Sequence, residues 1–283
     1  MAQFYLRMIH RFFNTKPAVR EAITRMVYGD KDQDVSLFQR PMRINALREN
    51  GYMRAASAMA RSSLLRDETV ILQRIMLLLQ EDMTFVDVGA NIGLFASCVS
   101  DARALYPKLR VMAFEANPET YKRLAFNAAR DGFEAVNCAL AAEAGEATFV
   151  EGAVSGVTTT LENAGHYNLV SRQFSMPTRR LDSFDLTGPL FLKIDVEGQE
   201  LAVLEGASAL FDAGQVACVY IDGFSDDRRI LDFLENHGMR LMDMLTLKEA
   251  GPDVFNLLAL PKSAVPSTSS AGFVPAAGSA TLA

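Results

Sequence analysis

Cysteine is scarce in this chain of 283 residues: Cys98, Cys138 and Cys218 stand far apart, each in an apolar neighbourhood. That spacing offers neither a metal-ligand pattern nor a disulfide framework, and no Cys-x-x-Cys accompanies it, so three reduced, buried thiols are expected. Positive charge is also in short supply. Lys and Arg number 28 against 34 Asp and Glu, for a net charge of -6. Without a basic stripe to track phosphates, nucleic acid is not an expected partner. Long apolar runs are missing too: nothing approaches a bilayer-spanning length, and no apolar segment with a small-residue cleavage site opens the chain. A cytoplasmic protein is expected. Apolar residues at 49% and charged residues at 22% suit a globular fold with a sizeable core.

Periodicity divides the chain. Residues 1–82 read as a helical N-terminal segment, broken at Pro17, Gly29 and Pro41 and ending in an amphipathic helix near 67–80 that Asp67 could cap. From 83 to 262 short apolar runs alternate with helical stretches. Strands are expected at 84–88, 110–115, 134–139, 190–194, 216–221 and 254–260, and helices at 94–105, 118–131, 200–211 and 226–237. Alternating strands and helices predict an α/β domain whose mostly parallel sheet is covered on both faces. Alternating runs at 146–150 and 175–181 flank a long loop rich in Gly, Thr and Asn, a place suited to substrate contacts. The tail 263–283 is mostly Ala, Ser, Thr, Gly and Pro and reads as disordered.

The chemistry gathers at strand ends. Asp87-x-Gly89-x-x-x-Gly93 joins the first strand to a helix, so a ligand can approach the backbone closely, and the free amides of the helix start favour a carboxylate. Asp87 stands where the dinucleotide pattern needs glycine, and an acid there suits an ammonium group. Glu115 closes the second strand, where a carboxylate can accept hydrogen bonds from both ribose hydroxyls. Asn137 and Ala139, at the end of the third, would lie near an adenine. The fourth strand ends in Lys193-Ile194-Asp195-Val196-Glu197-Gly198. Alternation puts Lys193, Asp195 and Glu197 on one side, either as a reactive group or as a network that shapes the turn.

These blocks resemble the FkbM family of methyltransferases. Phe85 to Gly93, Ala113-Phe114-Glu115, Arg180-Leu181-Asp182-Ser183-Phe184 and Leu192 to Glu200 match its characteristic blocks in order, over about 85–260. The resemblance implies a class I, Rossmann-like methyltransferase with a mostly parallel seven-stranded sheet. It also implies S-adenosylmethionine held by Asp87, Gly89, Ala90, Asn91, Gly93, Glu115 and Asn117, with Asn137, Ala139 and Asp195 beside it. The acceptor implied is a hydroxyl on a sugar, glycan or natural product. Ala116 and Asp222 stand where proline and glutamate are frequent in the family.

Methyl transfer to a hydroxyl needs an in-line approach and a base for the released proton. Asp195 is the first candidate base, with Glu197 beside it and His166 in the long loop as the second. A divalent metal among Asp195, Glu197 and Asp222 is conceivable on carboxylate chemistry but is not expected. The competing functions are a methyltransferase fold that binds without turnover and a nicotinamide-dependent oxidoreductase. The segment Phe4 to Phe13 mixes aromatics with cations, which fits a membrane surface or, as preferred here, packing on its own domain or a twin subunit.

Overall fold

The computed structural model describes residues 17–58, 63–152, 158–161, 170–225 and 227–264. His10, His166, the segment 4–13 and the tail from 265 lie outside them. No helix among the described residues is long and apolar enough to cross a membrane.

The lead segment, expected to be helical, contains a hairpin as well. Helix α1 (Pro17–Tyr28) is followed by an antiparallel hairpin, β1 (Asp32–Leu37) and β2 (Arg40–Asn45), then by α2 (Asn50–Ala58) and α3 (Ser63–Leu78). The hairpin turns on Phe38 and Gln39, both at positive φ, as a two-residue turn between right-twisted strands requires. Helix α3 begins before Asp67, which therefore lies inside it and does not cap it.

A seven-stranded sheet forms the frame, ordered β12-β13-β11-β10-β3-β4-β5. Its parallel part comprises β3 (Thr84–Val88), β4 (Arg110–Glu115), β5 (Glu134–Asn137), β10 (Leu190–Ile194) and β11 (Val216–Ile221). The edge pair β12 (Met239–Asp243) and β13 (Leu257–Pro261) is antiparallel, with β13 also running against β11. Strand β12 was not expected from the sequence, and β13 starts later than its apolar run.

Alternation along the strands splits the core between the two faces. Phe85, Phe191 and Tyr220 pack with Ile71 and Ile75 of the lead segment and with α4 (Leu94–Ser100), which continues as a 3-10 turn to Ala104. Val86, Leu192 and Ile194 face α6 (Glu200–Glu205), α7 (Ser208–Asp212) and α8 (Arg228–Asn236). Helix α5 (Pro118–Asp131) starts on Asn117, whose side chain accepts the N–H of Glu119 with Pro118 at the first position, and stops at left-handed Gly132.

Residues 134–139 do not form one strand. The chain leaves the main sheet at Asn137 and joins a second sheet at β6 (Ala139–Leu140). That sheet, ordered β6-β9-β7-β8, adds β7 (Gly145–Gly152), β8 (Thr158–Thr160) and β9 (Val170–Arg179). The expected long loop thus contains a strand of its own.

The lead segment is fastened to this domain by polar contacts. Arg123 donates to Glu49 at 2.6 Å in a buried pair, Asn127 binds the backbone of Arg43 and Ile92, and Arg48 reaches Glu151 at 2.6 Å.

Candidate active site

Strand order reverses direction between β3 and β10, and the C-terminal ends of β3, β4 and β10 open there into a cleft of about 1150 Å³, open mouth included. Such switch points are where open α/β sheets take ligands. The second sheet covers the cleft, contributing Ala139, Phe149 and Thr158 to Thr160, and the lead segment contributes Tyr52.

Gly89, Ala90 and Asn91 form one wall. Gly89 has φ +75°, and a Cβ there would sit 1.9 Å from the backbone oxygen of Asp195, so glycine lets β3 and β10 close on each other. Asn91 adopts the left-handed conformation with φ 53°, and its Oδ1 is buried without a hydrogen-bond partner among the described residues. Its N–H donates to Glu115 Oε2 at 2.9 Å, while the Asn117 N–H donates to Oε1 at 2.8 Å. Burial pushes the Glu115 carboxyl up to about 7 against the pull of those two amides. Each oxygen keeps capacity for a further donor. Phe114, Cys138, Ala139 and Leu140 supply an apolar surface beside it. An acceptor pair for two hydroxyls, an orphaned amide oxygen and an apolar slot fit the ribose and base of a nucleoside.

Asp87 takes a different place from the one its sequence position suggests. It is fully buried and absent from the cleft wall. Its Oδ2 accepts the N–H of Ala96 in the first turn of α4, and its Oδ1 lies 3.1 Å from Lys193 Nζ. The ammonium it meets therefore belongs to the protein. Burial raises the Asp87 carboxyl while Lys193 pulls it down; burial opposes the Lys193 charge, but Asp87, Asp195 and Asp222 together hold it above the ordinary lysine range.

Lys193, Asp195 and Glu197 all line the cleft, but Val196, expected on the opposite side, lines it with them, because the strand and its alternation end at Ile194. Asp195 is half exposed and its Oδ2 lies 3.2 Å from Lys193 Nζ. The Lys193 ammonium also sits 4.8 Å from the centre of the Phe95 ring. Behind this group burial and the charge of Asp195 raise Asp222. Among the described residues no three His, Cys, Asp or Glu side chains are arranged to hold a metal ion.

Three expected site residues stand behind the wall. Gly93, φ +82°, caps α4 where a Cβ would meet Leu124 at 2.6 Å. Asn117 caps α5 and donates to Thr158 Oγ1 at 3.2 Å. Asn137 Nδ2 donates to the backbone oxygens of Glu115 and Ala116 at 2.7 and 3.2 Å, fixing the turn that carries the ribose acid.

Sequence reasoning passed over Tyr52, the β8 threonines, Gln199 and Glu68. Glu68 lies on α3, buried, with Oε2 unpartnered among the described residues; burial pushes it up to about 8, with Lys193 opposing and Asp222 and Asp195 adding to the rise. Its signal was present: an acid three and seven positions before Ile71 and Ile75, on the apolar stripe of the helix.

Comparison with known proteins decides what the cleft belongs to. The family model described as the methyltransferase FkbM domain matches residues 87–241, more than half of the chain.

The chain belongs to the FkbM methyltransferase family.

It is an S-adenosylmethionine-dependent methyltransferase. Among its relatives are the hexuronic acid methyltransferase AglP of Haloferax volcanii, 28% identical over 60% of this chain and 69% of that one, and the methyltransferase sdnD of Sordaria araneosa, 32% identical over 43% and 59%. The second match thus reaches less than two thirds of that relative's length. Among solved structures, a precorrin-6y C5,15-methyltransferase from Geobacter metallireducens shares 18% identity, with a TM-score of 0.38, 69% of this chain and 87% of that one covered. Family membership sets aside the nicotinamide reading.

Proposed function

We propose that this methyltransferase acts on a hydroxyl of a sugar or natural-product acceptor, with Asp195 as the group that receives the proton. The observation that carries the reading is Asp195 itself: on the cleft wall, half exposed, and oriented by an ammonium 3.2 Å away. S-adenosylmethionine supplies a methyl group on a positively charged sulfur. Asn91 and Glu115 would hold its ribose end, Gly89 and Ala90 would let it approach the backbone, and Ala139 would cover its base.

When bound, the donor would offer that methyl carbon to an acceptor oxygen held in line with it. The oxygen's proton passes to Asp195, and Glu197 and the β8 threonines orient the remaining hydroxyls. Lys193 holds Asp195 in place through the 3.2 Å contact between its ammonium and Oδ2. The sugar reading draws support from the relative named for hexuronic acid. The free, buried cysteines support a cytoplasmic setting.

The test is product analysis: labelled S-adenosylmethionine with a panel of glycosides and hydroxylated metabolites, read by mass spectrometry and NMR for an O-methyl group. Asp195→Asn should lower turnover about 10²–10⁴-fold while S-adenosylhomocysteine still binds. Full turnover by that variant would remove Asp195 from the mechanism.

A further inference from the structure

The charges that line the cleft restrict the acceptor further than its hydroxyl does. Of the ionisable lining groups, Glu115, Asp195 and Glu197 are acids, and Lys193 is the one cation among the described lining residues. That cation is already committed, 3.1 Å from Asp87 and 3.2 Å from Asp195. Arginines around the site are committed as well: Arg48 lies 2.6 Å from Glu151, Arg123 2.6 Å from Glu49 and Arg172 3.8 Å from Glu119. The chain segments 153–157 and 162–169, which flank β8, contain no Lys or Arg.

Beside the acids lies a neutral polar wall, with Thr159 bridged to Glu197. Thr158, Thr159 and Thr160 line the cleft with Gln199, whose Nε2 donates to Thr160 Oγ1 at 3.1 Å. Hydroxyl and amide groups exchange hydrogen bonds with other hydroxyls at no cost in charge. A carboxylate or phosphate in the same place would meet like charges across a partly dehydrated gap, where repulsion is several times stronger than in water. The methyl donor brings one net positive charge, which leaves the acids in excess.

From this excess we infer that the acceptor is an uncharged or cationic polyhydroxyl compound, and that the cleft discriminates against anionic acceptors such as uronic acids. The inference rests on the hydroxyl-acceptor reading above. It also separates this chain in acceptor charge from the relative named for hexuronic acid.

A matched set of probes isolates the charge: methyl glucoside, methyl glucuronoside and the methyl ester of that glucuronoside, titrated calorimetrically at pH 8 into the full chain saturated with S-adenosylhomocysteine. The glucoside and the ester should bind at least about tenfold more tightly than the glucuronoside, a difference of about 1.4 kcal/mol. In Gln199→Lys, which adds a cation to the neutral wall, that gap should shrink at least about threefold. Equal or tighter binding of the glucuronoside, no binding by any of the three, or an unchanged gap in a folded Gln199→Lys protein would each overturn the inference. Failure of the underlying reading looks different: labelled methyl groups then appear on nitrogen or carbon of some acceptor and on none of the hydroxyls.

Discussion

Asp87 and Lys193 are register partners on the neighbouring parallel strands β3 and β10, and their charges meet at 3.1 Å in a fully buried pair. The strand pairing that builds the sheet therefore also places a fixed ammonium directly beneath Asp195.

Removing one member of this pair leaves the other charge stranded. Lys193→Met should destabilise the protein by about 3–5 kcal/mol, and Asp87→Asn combined with Lys193→Met should recover most of that loss, because a buried pair and its neutral replacement are close in energy. Urea unfolding of the two single variants and the double variant measures this. Equal losses in the single and double variants would show that packing, not charge, sets the cost.

As the proposed ribose acid, Glu115 should make donor binding depend on pH. Its carboxyl stands at about 7 instead of the ordinary 4.5, and only the ionised form accepts from two hydroxyls. Affinity for S-adenosylhomocysteine should hold above about pH 7 and weaken below it, by up to about tenfold per pH unit. Glu115→Gln should bind more weakly and show a flat profile between pH 6 and 8. A wild-type profile equally flat would contradict this role.

Glu68 acts on stability in the opposite direction along the pH scale. Its folded value of about 8 lies above the unfolded 4.5, so the unfolded chain ionises first as pH rises, and stability falls between about 4.5 and 8. Below 4.5 both states are protonated and the contribution is fully present; above 8 it is gone. Glu68→Gln should be more stable than the parent at pH 8.5, on the order of 2 kcal/mol, and nearly equal to it at pH 4.5. Thermal unfolding at the two pH values decides the matter.

Gly89→Ala tests the close approach of β3 and β10. The new methyl group would lie 1.9 Å from the Asp195 carbonyl at a positive φ, and a backbone oxygen cannot swing aside as a side chain would. Stability should fall by about 3 kcal/mol, and turnover should fall further than donor affinity because Asp195 moves with its own backbone. Gly51→Ala, where a Cβ meets nothing within 4 Å, serves as the control: it should leave turnover unchanged and, lying in α2, should hold stability or raise it by up to about 1 kcal/mol.

Strands β3 and β10 were legible because each is a short apolar run that ends at the cleft, Thr84 to Val88 and Leu190 to Ile194. Their acidic ends carried the family resemblance. The hairpin in the lead segment was hidden: β1 alternates Asp, Gln and Asp with Val and Leu, and Pro41 inside β2 reads as a break although it lies on an open edge. Positions were easier to read than partners. Spacing placed Asp87 at the end of a strand, but the ammonium that meets it comes from a strand far away in sequence, so pairing had to come from the sheet. Glu68 shows the converse case, an acid on an apolar helix stripe whose misfit was visible before its neighbours were.

Strand β8 touches the main frame through Thr159, which forms a parallel bridge to Glu197 and donates from Oγ1 to its backbone oxygen at 2.7 Å. In the proposed site Asn91 and Glu115 of the frame would take the donor's ribose, while the threonines belong to the second sheet. Much of the acceptor side thus has its own address in the chain. A graft within residues 145–179 that keeps Thr158, Thr159 with its bridge, and the Thr178–Arg179 pairing to β6 is the economical route to a new acceptor with the donor side left in place.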